Sequence, residues 1–401
     1  MTFILAGGKG SRLFPLTSQR SKPAVPFGGK YRIIDFTLTN CLHSGLRNVL
    51  VLTQYKSHSL NKHLRDGWSI FNPELGEYIT PVPAQMNSGE TWYEGTADAI
   101  YQNLNLLERS NAEYVLILSG DHIYRMDYHA MLKAHLETKA DVTIACMEVS
   151  VEDAKAFGVV VTKEDQRIIA FEEKPKQPTP VPGKPDKALA SMGLYIFSEK
   201  LLTKALIQDH GNPASSNDFG KDILPLMVKD KKVQAYTFGD REGRVSQDRY
   251  WRDVGTIDAY YHANMDLLEH KPQLDLYQNS WPVRTYQPQA PPARTTIANS
   301  GSEGTFINSI LASGVVISGG HIRHSILFDN IFVEDEAFIS NSIIFGDVHV
   351  GAAAMLKNCI IDKNVRIPSG EKIGYDFLKD QQRFTVSEEG VIVVPEGYIF
   401  T

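Results

Sequence analysis

The feature that most constrains the fold is a short motif that recurs in the last quarter of the chain. Each copy is a polar residue, then Ser or Cys, then two apolar residues, and the copies begin at Asn308, His324, Asn341 and Asn358. Successive copies are 16, 17 and 17 residues apart. A repeat this short, with one apolar pair per copy, predicts a β-solenoid of stacked coils. A sandwich with similar turns is the alternative, but frequent Ile and Val with little helical period favour the solenoid.

The sequence changes character permanently after the Pro-rich stretch 287–292. We therefore predict a first domain over residues 1–275, a linker over 276–300 and the solenoid over 301–401. Another Pro-rich stretch, 174–182, is interpreted as a loop within the first domain, because strand-like sequence resumes after it. Stacked coils leave open edges and flat faces, so we expect the protein to form oligomers.

The first domain alternates short apolar runs with helical patterns. The clearest runs are residues 49–52, 115–118 and 142–146. Near-continuous apolar strands separated by helices predict a mainly parallel sheet covered on both faces. One helix is predicted with Thr96 as its N-cap and an apolar face that continues to Leu107.

Composition excludes several classes of function. The chain has 401 residues and a formal net charge of -6, which gives no general attraction for nucleic acid or an anionic membrane. Its 3 cysteines are widely spaced and lack the spacing of zinc ligands. The chain has no apolar run of membrane-spanning length, and the apolar stretch before Gly7 is too short for a signal peptide. We expect a cytoplasmic protein.

A glycine loop with two cations follows the first apolar run. Gly7, Gly8 and Gly10 can adopt positive φ and approach an anion closely, while Lys9 and Arg12 supply charge. This composition suits a phosphate-rich ligand, although a surface turn with two solvated cations has the same sequence. The spacing matches neither the P-loop nor the dinucleotide fingerprint, so phosphates would be bound in another way.

Two carboxylates are candidates for a metal site. Asp121 follows the strand predicted at 114–118, and ligands collect at the carboxyl ends of strands in such sheets. A carboxylate facing an anion-binding loop would repel phosphate unless a divalent cation intervened. Asp253 precedes a helical segment and would complete an oxygen-rich site for Mg²⁺. Alternatively, Asp121 caps a turn, and Asp253 caps a helix or pairs with Arg252.

Four further residues could bind a phosphorylated sugar. Glu173 and Lys174 follow a strand predicted at 168–171, where a carboxylate can accept sugar hydroxyls and an ammonium can bind phosphate. Ser191 would place a hydroxyl near the same sheet edge, and Tyr93 could cover a ring beside a helix N-terminus that faces an anion. The alternatives are a solvated charge cluster, an ordinary strand start and an aromatic core residue.

Three cations and a histidine near these motifs are less specific. Lys22 is a candidate to complete the active site, whereas Arg20 and Arg32 either bind a second phosphate or face water. His122 is interpreted as structural, because the histidines show no metal-ligand spacing such as H-E-x-x-H.

In their order along the chain, these segments resemble the bacterial glucose-1-phosphate adenylyltransferases, also called ADP-glucose pyrophosphorylases. The resemblance covers nearly the whole chain, and its ordered set is highly specific. The segments that carry it are residues 5–13, 22–25, 32–36, 92–98, 120–124, 173–175, 190–193, 218–222 and 251–255.

The resemblance implies a fold and a reaction. The fold is α/β: a mainly parallel-sheet, Rossmann-like nucleotidyltransferase domain followed by a left-handed parallel β-helix. The enzymes of the family are tetramers in glycogen or starch synthesis, so a homotetramer is expected. The implied reaction converts ATP and α-D-glucose 1-phosphate to ADP-glucose and pyrophosphate.

The resemblance also assigns roles to individual residues. Arg12, Lys22 and Asp121 are implied to be catalytic, and Asp121 with Asp253 to hold Mg²⁺. The residues implied to bind substrate are Gly7, Gly8, Lys9, Gln54, Tyr93, Gly158, Glu173, Lys174 and Ser191. Among these, Lys9 and the glycines would hold the triphosphate, and Lys174 the sugar phosphate.

A phosphorylated metabolite is implied as an effector at Arg20 and Arg32. Gln19 stands where relatives activated by fructose bisphosphate carry lysine, Pro26 replaces a polar residue, and the first strand starts almost at Met1. We therefore expect altered or absent allostery. The rival functions are a pyrophosphorylase for another nucleotide, which would lack the motifs at 32–36 and 92–98, and a non-catalytic regulatory subunit, which would not need Asp121, Lys174 and Asp253.

Overall fold

The computed structural model describes residues 1–85, 92–239 and 249–400. Strands and helices alternate through the first part of the chain. The strands are β1 (Thr2–Leu5), β2 (Pro26–Phe27), β3 (Tyr31–Arg32), β4 (Asn48–Thr53), β5 (Tyr78–Pro83), β6 (Tyr114–Ser119), β7 (His122–Tyr124), β8 (Val142–Ser150), β9 (Gly158–Thr162), β10 (Ile168–Glu173), β11 (Lys187–Ser198), β12 (Val233–Thr237) and β13 (Trp251–Asp253). The helices are α1 (Ile33–His43), α2 (His58–Trp68), α3 (Thr96–Tyr101), α4 (Leu104–Ser110), α5 (Tyr128–Thr138), α6 (Val151–Ala154), α7 (Glu199–His210), α8 (Leu224–Asp230) and α9 (Ile257–Met265).

The main sheet of this part is parallel around β1 and antiparallel around β11, and β12 is again parallel to its neighbour β8. Strand β1 lies between β4 and β6, parallel to both, and β5 extends the sheet in parallel next to β4. The long strand β11 is antiparallel to β6, β8 and β9, so the parallel pattern predicted from sequence does not continue there. Since β1, β4 and β6 are parallel, the loops that follow them meet at one edge.

The helix predicted from Thr96 to Leu107 is two short helices. Helix α3 ends at Tyr101 and α4 begins at Leu104, with Gln102 and Asn103 between them. Asn103 donates from its side chain to the Ala99 carbonyl and to the Tyr93 hydroxyl, at 2.8 and 2.9 Å. The apolar spacing continues across this interruption, which is why the sequence pattern predicted one helix.

The last part of the chain winds into coils with three parallel faces. The strands are β14 (Arg294–Thr296), β15 (Thr305–Ile307), β16 (Ile310–Leu311), β17 (Val316–Ser318), β18 (His321–Arg323), β19 (Ile326–Leu327), β20 (Phe332–Val333), β21 (Phe338–Ser340), β22 (Ile343–Ile344), β23 (His349–Val350), β24 (Met355–Lys357), β25 (Cys359–Ile361), β26 (Arg366–Ile367), β27 (Lys372–Ile373), β28 (Thr385–Val386) and β29 (Ile392–Val394), with helix α10 (Phe377–Arg383) before β28. Each face stacks every third strand of β14–β27 in parallel. This β-helix begins at Arg294, inside the range predicted as linker.

Two requirements of the β-helix explain its repeated motif. The first residue of each copy turns a corner with a left-handed backbone, φ 45° to 49°, which Asn adopts more easily than most residues. The second residue points inward. From the second copy onward, its backbone N–H donates to the Ser hydroxyl at the same place in the preceding copy, as from Ser342 to Ser325 at 3.1 Å. Ser325, Ser342 and Cys359 are fully buried.

The linker and the β-helix both pack on the first domain. Trp281 is buried and donates to Asn40 of α1 at 3.1 Å. Thr285 donates to buried Asp35, also in α1, at 2.7 Å. One apolar cluster joins residues of α9 to β-helix residues that face the first domain, including Ile343 and Phe345, whereas the interior of the coils forms a separate cluster. The two parts therefore share a core.

Candidate functional site

A cavity of about 720 Å³ opens where the loops after β1, β4 and β6 meet. Such a volume is typical of sites for small molecules. Thirteen of the residues singled out in the sequence line it: Gly7, Gly8, Lys9, Arg12, Lys22, Gln54, Tyr93, Asp121, Gly158, Glu173, Lys174, Ser191 and Asp253. Segments that are far apart in the sequence therefore converge on one pocket.

The surroundings constrain two of the three glycines of the loop. Gly10 has φ +62°, and a Cβ there would lie 3.0 Å from Thr17 and 3.2 Å from Lys22. Gly7 does not have positive φ, but a Cβ there would lie 3.2 Å from the Cβ of Gln54. Gly8 does not have positive φ either, and a Cβ on it would meet no atom of the described residues within 4 Å, so space lies open beside its backbone.

Lys22 lies between the two carboxylates predicted to hold metal. Its Nζ is 2.9 Å from Asp121 Oδ2 and 2.7 Å from Asp253 Oδ1. Asp121 follows β6, whereas Asp253 ends β13 and is placed opposite His122 by the pairing of β13 with β7. That pairing brings together residues separated by more than a hundred positions.

The cluster shifts the pKa values of Lys22 and Asp121. Burial lowers the pKa of Lys22, but the charges and hydrogen bonds of Asp121 and Asp253 raise it more, so the pKa lies above its ordinary value. Burial raises the pKa of Asp121, but Lys22, His122 and a hydrogen bond from Ser119 lower it well below the usual range. Lys22 and Asp121 are therefore both in their charged forms at neutral pH.

His122, interpreted from sequence as structural, belongs to this cluster. Its Nε2 lies 3.6 Å from Asp121 Oδ1 and 3.9 Å from Asp253 Oδ1, and the ligand atoms of the three residues lie within 4.8 Å of one another. Two carboxylates around one bound cation, the Lys22 ammonium, are a donor set that also fits a divalent metal ion. The position of His122 directly after Asp121 is the sequence feature that could have indicated that His122 lies in this cluster.

Glu173 is held in a cradle of glycines on another wall of the pocket. A Cβ on Gly220 would lie 2.5 Å from Glu173 Oε2, and one on Gly158 would lie 3.2 Å from the same oxygen. Burial raises the pKa of Glu173, and nearby Lys174 opposes that shift. Lys174 Nζ is 3.7 Å from Glu173 Oε1, and its side chain is 64% exposed, which leaves the ammonium accessible to a ligand.

A bulge in β11 carries Ser191 into the pocket. The pairing of β11 with β8 shifts between Ser191 and Tyr195, and Gly193 within the bulge has φ +70°. Ser191 Oγ accepts a 3.3 Å bond from the Gly193 N–H. Sequence reasoning identified the hydroxyl but not the bulge that turns it toward the pocket.

Gln54 lines the pocket but uses both ends of its amide on the backbone of Tyr93. Its oxygen accepts from the Tyr93 N–H at 2.9 Å, and its nitrogen donates to the Tyr93 carbonyl at 3.2 Å. The Tyr93 hydroxyl accepts a bond from Asn103. Gln54 therefore fixes the position of the Tyr93 wall.

The start of α3 does not face an anion, contrary to the sequence prediction. The N–H groups of Ala97 and Asp98 both point to the carbonyl of Asn217. The Thr96 hydroxyl donates to Asp218 at 3.0 Å and accepts from the Phe219 N–H, so it does not cap its own helix. Thr96, predicted from sequence only as an N-cap, and Asp218, given no role, both line the pocket; the 218–222 motif was the available indication for Asp218.

Arg20 and Arg32 lie outside the lining of the pocket and do not face water. Arg20 is buried and contacts Asp362 at 2.9 Å and Glu396 at 2.6 Å, both in the β-helix part of the chain. Arg32 donates to the carbonyl and hydroxyl oxygens of Ser59 at 3.0 and 2.9 Å, which ties α1 to α2.

Comparisons with known proteins agree with this architecture. A family profile described as nucleotidyl transferase matches residues 1–270, and one described as a GlmU-like C-terminal hexapeptide matches residues 291–394. The hexapeptide match identifies the coils as a left-handed β-helix. No helix among the described residues has the length and apolar character that a membrane span requires.

Curated relatives match along essentially the whole chain. The glucose-1-phosphate adenylyltransferase 2 of Vibrio vulnificus (strain YJ016) is 63% identical over 100% of this chain and 99% of its own length. That of Vibrio cholerae is 59% identical over 100% and 98%. The glucose-1-phosphate adenylyltransferase of Methylobacillus flagellatus is 47% identical over 98% of this chain and 92% of its own length.

Proposed function

Since this chain belongs to the glucose-1-phosphate adenylyltransferases, within the nucleotidyl transferase family, we propose that its pocket is where AMP passes from ATP to α-D-glucose 1-phosphate. The products are ADP-glucose and pyrophosphate. The observation that carries the assignment is the convergence of the glycine loop, the Lys22 cluster and the Glu173 cradle on one cavity. A reaction between two phosphorylated substrates needs one group of residues for the triphosphate, one for the metal ion and one for the sugar phosphate.

The glycine loop and its cations are assigned to the triphosphate. Arg12 and Asp253 both lie next to Gly255. A Cβ on Gly255 would be 3.1 Å from Arg12 Nη2 and 3.1 Å from the Asp253 carboxylate oxygens. Lys9 extends over the Tyr55 ring, 5.1 Å from its centre. These cations would neutralise the charge that develops as pyrophosphate leaves.

Glu173, Lys174 and Ser191 are assigned to glucose 1-phosphate. The exposed Lys174 ammonium would bind the sugar phosphate as a point charge, while Glu173 would accept sugar hydroxyls. The phosphate nucleophile is ionised at neutral pH and needs no strong general base. The work of these residues is therefore to position the phosphate in line with the α-phosphorus.

The proposed reaction uses a divalent metal ion, and we propose that this ion is Mg²⁺. Asp121 and Asp253 would hold it, and it would supply charge neutralisation for the phosphates. Carboxylate oxygens beside substrate phosphates are the ligands that Mg²⁺ takes in such enzymes. What supports the site is the pair of carboxylates already arranged around one cation, Lys22.

Several wider assignments complete the proposal. We propose a role in glycogen synthesis in the cytoplasm, a homotetramer, and a division into residues 1–275, 276–300 and 301–401, in which the end of the linker range pairs with the first face of the β-helix through β14. A phosphorylated effector near Arg32 is also proposed, but at Arg20 it would compete with Asp362 and Glu396 for the guanidinium. Nucleic acid and membranes are not proposed as partners, because the formal net charge is -6.

Pyrophosphate release tests the function directly. The purified protein is incubated with Mg²⁺, glucose 1-phosphate and one of ATP, UTP, dTTP, CTP or GTP. We expect release with ATP alone. Release with another nucleotide would favour the rival pyrophosphorylase, and no release with any nucleotide would favour a regulatory subunit. The Asp121→Asn variant serves as the control for contaminating activity.

A further inference from the structure

Lys22 is placed where the proposed metal would be expected. We propose that Lys22 holds the place of the divalent cation in the ligand-free protein: its ammonium bridges Asp121 and Asp253 until a metal ion binds, then leaves both carboxylates for the substrate phosphates. This inference rests on the metal site of the proposed function. The further claim is that metal binding releases the Lys22 ammonium from the carboxylates and so makes it available to the substrate phosphates.

The distances put the ammonium on the oxygens that a metal would use. Lys22 Nζ contacts Asp253 Oδ1 at 2.7 Å and Asp121 Oδ2 at 2.9 Å. The lysine side chain is only 8% exposed, whereas the carboxylates are 31% and 20% exposed. The cluster therefore opens to the pocket on its acidic side, where an ion can enter, and Lys22 lies behind it.

Charge favours exchange over joint occupancy. Two carboxylates and one ammonium leave the cluster with one net negative charge, and a divalent cation in place of the ammonium makes it neutral. If both cations stayed on Asp253 Oδ1, they would share one oxygen and repel each other at short range. An ammonium also binds a single carboxylate oxygen less strongly than a small divalent ion does, because its charge is lower.

The backbone allows the exchange without a rearrangement of the fold. Lys22 begins a buried 3₁₀ turn, Lys22–Ala24, which is closed by a bond from the Val25 N–H to the Lys22 carbonyl at 3.0 Å. Its Cβ adjoins Gly10, since a Cβ on that glycine would lie 3.2 Å away. Rotation about three bonds beyond this anchored Cβ, namely Cβ–Cγ, Cγ–Cδ and Cδ–Cε, moves Nζ. A rotation of the side chain alone can therefore carry the ammonium toward the glycine loop.

Binding of Mn²⁺ to the nucleotide-free protein tests the exchange. Free Mn²⁺ is measured by electron paramagnetic resonance with wild type, Lys22→Met and a matched control, Lys9→Met. Lys9 also lines the pocket, but it lies over Tyr55 and forms no ion pair with a described carboxylate. We expect Lys22→Met to bind Mn²⁺ at least about tenfold more tightly than wild type, and Lys9→Met to remain within about threefold, because only the first variant frees the carboxylates.

Two outcomes of that titration would overturn the proposal. If Lys22→Met bound Mn²⁺ no better than wild type, Lys22 would not occupy the place of the cation. If both variants tightened binding equally, the effect would be the general field of the pocket. Neither outcome depends on turnover, so a failure here is distinct from a failure to form ADP-glucose.

Amine labelling of the wild type keeps the test decisive if Lys22→Met does not fold. Reductive dimethylation is followed by mass spectrometry at Lys22 and at Lys56, whose Nζ donates to the carbonyls of Thr17 and Ser18 at 3.1 and 2.6 Å. We expect saturating Mn²⁺ to increase labelling at Lys22 severalfold and to leave Lys56 unchanged. Equal labelling of Lys22 with and without Mn²⁺ would contradict the exchange.

Discussion

Arg20 and Lys22 are two residues apart, and each contacts two carboxylates, yet the clusters that they form differ. Arg20 contacts two carboxylates of the β-helix part of the chain: Asp362, which is fully buried and closes the cluster on that side, and Glu396, whose side chain is 27% exposed. Lys22 contacts Asp121 and Asp253, which are partly open to the pocket. One short segment thus joins a closed ionic contact between domains to an open one in the candidate site.

The difference separates stability from chemistry. A closed cluster cannot exchange its cation without leaving a buried charge unpaired, which is costly. An open cluster can, since water, metal or substrate can take the place of the partner. The planar guanidinium suits the fixed contact and the flexible ammonium suits the exchangeable one. We therefore expect variants at the two clusters to alter different measurable quantities.

The largest expected effect is on stability, from Arg20→Met. It leaves Asp362 buried without its partner, and the free energy of unfolding should fall by about 3–5 kcal/mol. Denaturant unfolding measures this. Arg20→Lys is the matched control and should lose less, because a charge remains. A loss no larger than that of Lys22→Met would remove the distinction between closed and open clusters.

Asp121→Asn should affect activity instead. It keeps the shape of the side chain but removes a charge from the proposed metal site, so kcat should fall on the order of a hundredfold or more. Steady-state pyrophosphate release gives kcat, and the unfolding midpoint should stay near that of wild type. A well-folded variant with near-normal turnover would contradict the assignment of Asp121.

A smaller effect is expected from Lys174→Ala, which tests whether exposed cations in the pocket act by binding alone. The KM for glucose 1-phosphate should rise about tenfold, because the lost contact is shared by ground and transition states. The KM for ATP should change little. If only the KM for ATP rose, Lys174 would belong to the nucleotide side.

The smallest expected effect is a dependence of the Arg20 result on pH. Burial raises the pKa of Asp362, and the Arg20 charge opposes that shift. A raised pKa in the folded state means that its stabilising contribution is present at low pH and is lost as the pH rises through that pKa. Arg20→Met removes the opposing charge, so its deficit in unfolding free energy relative to wild type should shrink as the pH falls from 8 to 5. A constant deficit would mean that Asp362 does not titrate in this range.

The repeat region was predictable in some detail because its contacts are local. Each coil pairs with the next one 16 or 17 residues away, and the corner Asn and inward Ser are required in every copy. A periodic requirement leaves a periodic sequence. The pairing of Arg294–Thr296 with β17 could not be predicted from sequence, because this first strand, RTT, is exposed and carries no apolar pair.

The members of the pocket were largely predictable, but their contacts were not. Strand ends and glycines identified the residues that line it, since parallel strands bring their following loops to one edge. The bridge from Lys22 to Asp253 depends on the pairing of β13 with β7, and no local pattern encodes a contact across 231 positions. For the same reason, local patterns did not indicate the contacts of His122 with the two carboxylates or of the start of α3 with Asn217.

The contact of Arg20 with Asp362 also fixes how many coils the β-helix can have. Neighbouring coils stack about 4.8 Å apart, and Asp362 follows β25, next to the last copy of the repeat. Deleting or duplicating one coil would preserve every corner and ladder bond, yet carry the carboxylate one step away from the guanidinium. The number of coils therefore sets whether Asp362 can reach Arg20 of the first domain. We expect this region to tolerate substitutions within a coil more readily than the loss or gain of a whole coil.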